Sequence, residues 1–87
     1  MQQFQSRLQY LFGRIRQWNA SVYFYPEVLL CHLMMIYNNH REIFLNDEPR
    51  LIKSPCGDRA LEWRHGETYV KQMFLIDGTT EWSYKHE

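Results

Sequence analysis

Apolar side chains near the start of the chain stand at Phe4, Leu8, Leu11, Phe12, Ile15 and Trp18, with Gln, Ser and Arg between them. Counted from Phe4 they lie 4, 7, 8, 11 and 14 positions on, the spacing that lines one face of an α-helix. The pattern predicts a helix over about residues 2–19, ended by Asn19-Ala20-Ser21, because Asn and Ser bond their own backbone. Gly13 falls inside it and costs up to ~1 kcal/mol relative to Ala. Val22 to Tyr25 reads as a short extended piece, since the residue before Pro26 avoids the helical region.

Pro26 and Glu27 open a second predicted helix, over about 26–45. Proline suits a first helical turn, and an acid there suits the helix dipole. The run from Val28 to Tyr37 is apolar nearly all round. A strand is the competing assignment, but the run is long for a buried strand, and Leu and Met favour helix. Leu29, Leu33, Ile36, His40 and Ile43 line one side, and Leu30, Met34, Tyr37 and Phe44 the next. A helix apolar on several sides lies between two layers or between two subunits. Asn46-Asp47-Glu48-Pro49 marks the loop that ends it.

Beyond Pro49 the pattern turns to alternation, and strands are expected at about 50–54, 59–64, 68–76 and 80–85, with turns at Ser54–Asp58, His65-Gly66 and Asp77-Gly78. Helices first and strands after give an α+β fold, with two N-terminal helices packed on a C-terminal antiparallel meander of three to four strands, one domain over residues 1–87.

The two hairpins decide which side chains share a face. A two-residue His65-Gly66 loop pairs Arg64 with Glu67, Trp63 with Thr68 and Leu61 with Val70. It puts Leu61, Trp63, Val70, Gln72, Phe74 and Ile76 on one side. At Asp77-Gly78 a two-residue turn pairs Met73 with Trp82, sending Trp82 and Tyr84 to the opposite side. A three-residue loop with Gly78 as a left-handed bulge pairs Gln72 with Trp82 and Val70 with Tyr84, bringing both aromatics beside Trp63. A shift of one residue flips every side chain, so only one arrangement holds. The bulge is favoured because it leaves Glu62, Arg64, Lys71, Glu81, Ser83 and Lys85 together on the other side, the segregation a one-sided sheet needs. Tyr69, Met73 and Leu75 then remain as an apolar stripe on that polar side. With Lys71 and Arg64 they form the candidate partner-binding surface; the plainer alternative is scattered surface apolars.

Formal net charge is zero, from ten basic and ten acidic side chains. That argues against a nucleic-acid grip, which draws on a basic patch, and leaves a protein partner or homo-oligomer as the expected company. No apolar run reaches ~18 residues, so no membrane span is expected. The first residues lack the long apolar core of a secretory signal. Cys31 and Cys56 fit no metal spacing. The expectation is a cytoplasmic protein with reduced thiols, no metal and no cofactor.

From Pro49 the chain reads Pro-Arg-Leu-Ile-Lys-Ser-Pro-Cys-Gly-Asp-Arg-Ala-Leu-Glu-Trp, ending at Trp63. This resembles a group of small bacterial proteins with a Pro-x-hydrophobic-x-x-Ser/Thr-Pro-x-Gly-Gly-x-x-Leu-Glu-Trp signature. Asp58 stands where a second glycine is common. The resemblance implies two helices before the signature, a Trp between them as Trp18 is here, and a strand meander after. It also implies a compact accessory protein of the kind found in mobile or defence-related gene pairs, and no catalytic residue.

Two chemical constellations compete with that reading. His65 with Arg64 and Glu67, and Tyr69 and Lys71 beyond, is the residue set of a small metal-independent endoribonuclease toxin. The bland reading is a solvated hairpin tip, and a neutral chain counts against a toxin that grips RNA. Cys31, His32 and His40 share a helix, but His32 and His40 are two turns apart, too far to share a small ion. Arg7, Arg14 and Arg16 are most simply a solvated helix face. The sequence therefore points to a non-enzymatic protein-binding module, in concrete form an inhibitor or antitoxin-like protein acting on a bacterial or phage partner. The alternatives are the endoribonuclease and a structural subunit of a larger assembly.

Overall fold

A computed structural model describes residues 2–17 and 26–86. The order is α1 (Gln2–Arg16), α2 (Pro26–Asn39), α3 (Arg41–Asn46), β1 (Arg50–Lys53), β2 (Arg59–His65), β3 (Thr68–Phe74) and β4 (Thr80–His86). The strands form one antiparallel sheet in chain order, so the fold is α+β as expected. Trp18, the predicted helix end at 19–21 and the extended piece at 22–25 lie outside the described residues.

The expected second helix is two. It breaks at His40, whose φ of −138° and ψ of 57° are not helical. Asn38, Asn39 and His40 are poor helix formers, and the Asn39 amide donates back to the Met35 carbonyl at 2.7 Å, which competes with the helical ladder. The break separates two residues that the unbroken pattern put on one stripe. Phe44 is carried into the core, fully buried, while Met34 stays outside. Arg7 then ties α1 to the far end of α3: its Nε donates to the Phe44 carbonyl at 2.8 Å, and its terminal nitrogen to the Asp47 carbonyl. A helix end needs such partners for its last carbonyls. Arg14 pairs with Glu48, so two of the three arginines of α1 are engaged within the fold.

The core lies on one side of the sheet. Phe4, Leu11 and Ile15 of α1, Leu29, Leu33 and Ile36 of α2, and Ile43 and Phe44 of α3 enclose Leu61, Trp63, Val70 and Phe74. Trp63 is 0% exposed, its ring stacked 6.3 Å from Phe44, and Phe44 stacks in turn on Phe4 at 5.7 Å. Gln72 is also fully buried on this side. Its amide nitrogen lies 3.2 Å from His32 Nδ1, and its Oε1 has no hydrogen-bond partner among the described residues.

The register of the first hairpin differs from the expected one by two residues. His65 pairs with Thr68, Trp63 with Val70 and Leu61 with Gln72, so Gly66-Glu67 is the loop. The expected His65-Gly66 loop of the primed type needs a positive φ at His65, which is strained outside glycine. Placing Gly66 first, at φ 62°, removes that demand. A shift of two keeps every side chain on its expected face.

The second hairpin has the favoured bulge. Leu75 N donates to Thr79 O at 2.9 Å and Gly78 N to Leu75 O at 3.0 Å, Gly78 has φ 91°, and Trp82 lies opposite Gln72 with Tyr84 opposite Val70. Two details of the expected face change. Ile76 sits in the loop and is 70% exposed, because β3 ends at Phe74 and the Asp58 carboxylate accepts the Ile76 amide at 2.9 Å. Tyr84 shares the Trp63 face but is 59% exposed near the end of β4, with His40 4.9 Å from its ring.

Candidate interaction surface

Strand alternation sends a second set of side chains to the outer face. From the register, Arg50, Glu62, Lys71 and Ser83 form one row across it, Ile52, Ala60, Met73 and Glu81 the next, and Arg64, Tyr69 and Lys85 a third. Directly opposite residues in such rows touch or nearly touch. Basic Arg50, Arg64, Lys71 and Lys85 thus stand against acidic Glu62 and Glu81.

The five residues singled out from the sequence meet different fates. Arg64 and Tyr69 come together: the guanidinium lies 5.0 Å from the ring centre, a cation–π contact that holds both side chains at low entropy cost. Lys71 and Met73 follow Tyr69 on the same face, each partly buried. Leu75 points the same way but lies past the end of β3, held by the turn, so it borders the surface rather than lining it. Two shallow hollows flank Lys71. One, of about 230 Å³, is lined by Tyr69, Lys71, Ser83, Tyr84 and Lys85. The other, of about 140 Å³, includes Ile52, Ala60, Lys71 and Met73. Tyr84 and Lys85 were not in the expected set. For Lys85 the signal was the bulge register, which sets it opposite Tyr69; Tyr84 borders the hollow from the edge strand although the register puts it on the Trp63 face.

The alternative chemical sites come apart. His65 and Arg64 are neighbours on one strand and therefore point to opposite faces. His65 Nδ1 lies 2.9 Å from Asp47 Oδ2, while Arg64 stacks on Tyr69. Cys31 is exposed, His32 meets Gln72 under the helix, and His40 leans on Tyr84. Burial lowers the pKa of His32, against a smaller upward pull from Glu81, and burial lowers that of His40 as well. Both imidazoles thus favour the neutral form, as suits the Gln72 amide beside His32. No group of three His, Cys, Asp or Glu side chains among the described residues is placed to hold a metal ion. No described helix is long and apolar enough to cross a membrane.

Comparison of the chain with protein-family models, with curated proteins and with solved structures finds no match in any of the three.

Proposed function

We propose that this chain is a small protein-binding module that acts by covering a surface of another protein, in the manner of an inhibitor or antitoxin-like protein, and that the outer face of its sheet makes the contact. One observation carries the reading: the sheet face that no described helix covers holds Arg64 stacked on Tyr69 beside Lys71. Arg and Tyr are side-chain types that dominate binding energy at protein interfaces. The excess of cations over Glu62 and Glu81 favours an acidic partner surface and speeds encounter with it. Ile52, Ala60 and Met73 supply an apolar floor beside these charges. A bacterial or phage setting rests on the resemblance of residues 49–63 to the small accessory proteins described above.

The experiment is affinity purification of the tagged chain from its host, with Arg64→Glu and Lys71→Glu as comparison. A partner of stoichiometric yield is expected with the wild type and lost with both variants, which keep the wild-type melting profile. A partner retained by both variants, or cleavage of RNA by the pure protein that His65→Ala abolishes, would overturn the proposal.

A further inference from the structure

The two edges of the sheet are built differently. β1 has four residues, with Pro49 before it, Pro55 soon after it, and Arg50 and Lys53 at its ends. Shortness, proline and charge keep an edge strand from pairing with another chain. β4 has seven residues, pairs one to one with β3 along its whole length, and contains no proline, glycine or bulge. No described residue pairs with its outer side. Leu75 N donates to Thr79 O across the turn, and antiparallel hydrogen bonds alternate along a pair. Glu81, Ser83 and Lys85 therefore turn their backbone groups to β3, while Thr80, Trp82, Tyr84 and His86 turn theirs outward. Along this open edge the order Glu81-Trp82-Ser83-Tyr84-Lys85 runs acid, aromatic, hydroxyl, aromatic, base. Ser83 is its midpoint, and the whole stretch lies within one unbroken strand.

We propose that a second copy of this chain extends the sheet at this edge, β4 pairing antiparallel with β4 about a two-fold axis at Ser83. Glu81 of each copy then stands opposite Lys85 of the other, twice over, as an isologous interface requires. Trp82 of each copy stands opposite Tyr84 of the other. These aromatic residues are the ones whose backbone groups point outward, so they form the hydrogen-bonded pairs of the new ladder. Within one copy their rings already stack at 6.0 Å, Trp82 partly buried and Tyr84 exposed. Opposite charges and aromatics set directly across from each other are the pairs that stabilise a sheet. An axis at Trp82 would set Glu81 against Ser83, and an axis at Tyr84 would set Lys85 against Ser83. The order of side chains therefore chooses both the partner and the register. Opposed residues share a face, so the outer faces join in one sheet of eight strands, four from each copy. The surface of Arg64, Tyr69 and Lys71 is then doubled and stays open. The contact is a strip one strand wide, small beside the roughly 800 Å² that each partner gives to a standard interface. The dimer is accordingly weak, with a Kd on the order of tens of micromolar.

Sedimentation equilibrium from about 5 to about 500 µM, under reducing conditions so that Cys31 and Cys56 cannot cross-link, tests this. The wild type is expected to pass from monomer to dimer. Glu81→Lys and Lys85→Glu each weaken the dimer about tenfold, since like charges then stand opposed and symmetry counts each change twice. The double variant E81K/K85E recovers to within about threefold of the wild type, because the pairs are restored with exchanged signs. A cross-link reads the axis directly. The two copies of Ser83 form a non-hydrogen-bonded pair, with Cα atoms about 4.5 Å apart, within disulfide reach. In a Cys31→Ser, Cys56→Ser background, Ser83→Cys is expected to oxidise to a linked dimer, and Arg50→Cys on the opposite edge to stay monomeric. A wild type that is monomeric throughout, whether residues 18–25 or a strand of a different protein pairs with β4, overturns the proposal. So does a double variant no tighter than the single ones, or a Ser83→Cys chain that links no faster than Arg50→Cys.

Discussion

On β3 the even-numbered Val70, Gln72 and Phe74 are buried beneath the helices, whereas the odd-numbered Tyr69, Lys71 and Met73 face the other way and stay half covered. The same seven residues thus supply two surfaces with different energetics. Burial under the helices removes apolar area from water, and each large side chain there carries stability. On the outer face the same backbone displays polar and aromatic groups at a fixed spacing, where their removal costs the fold little. A strand with one covered face can hold its fold with one set of residues and offer contacts with the other.

The largest expected effect tests the covered face. Trp63→Ala should lower unfolding free energy by ~3–5 kcal/mol in urea denaturation, the usual loss for a truncated buried aromatic. A loss below ~1 kcal/mol would place Trp63 outside the core. The next test concerns the register that separates the faces. Gly78→Val puts a β-branched side chain at φ 91°, and a cost of about 1–3 kcal/mol is expected. In the wild type, nuclear Overhauser contacts from the Trp82 ring to Val70 and Phe74 should be present. Contacts to Lys71 and Met73 instead would transfer Trp82 to the outer face.

A smaller effect appears in acid. His32 and His40 bind protons less readily when folded than when unfolded, where the ordinary value is 6.5. The unfolded chain therefore holds more protons below that value, so their stabilisation is complete above about pH 6.5 and is lost as pH falls toward the lowered folded values. His32→Gln should flatten part of the decline in urea midpoints between about pH 7 and about pH 5, leaving the share of His40. An unchanged slope would mean that burial does not hold His32 below its ordinary value in the folded chain. The smallest stability effect belongs to the outer face: Arg64→Glu and Lys71→Glu should each shift unfolding free energy by no more than ~0.5 kcal/mol. A larger loss in either would make the outer face part of the fold's support.

The two hairpins show how far the sequence could be read. At Gly78 alternation alone chose between two registers, because a shift of one would have mixed charged and apolar residues on each face. At Gly66 alternation was silent between registers two apart, since they give identical faces. There the positive φ at Gly66, and not the pattern, selected the pairing. The candidate site was legible to the same extent. Arg64, Tyr69, Lys71 and Met73 were assigned to one face by parity, whereas the contact of Tyr69 with Arg64 and the hollow shared with Lys85 required the strands to be brought together. Leu75 was misjudged only in position, because the end of a strand is set by turn bonds such as the one from Ile76 to Asp58.

Periodicity by itself determined the order of helices and strands, the face of each strand that meets the core, and the burial of Leu29, Leu33, Ile36 and Trp63. These follow from local geometry, in which a period of 3.6 or of two places apolar groups together whatever the neighbours do. Tertiary structure decided the rest. It decided that the weak helical stretch Asn38-Asn39-His40 breaks at His40, where the packing of Phe44 against Phe4 and Trp63 rewards the turn. It also decided that Leu30 and Met34, equal in hydrophobicity to their buried neighbours, are left uncovered among the described residues. A residue's own chemistry sets what burial is worth, but only the arrangement of the other elements settles whether anything covers it.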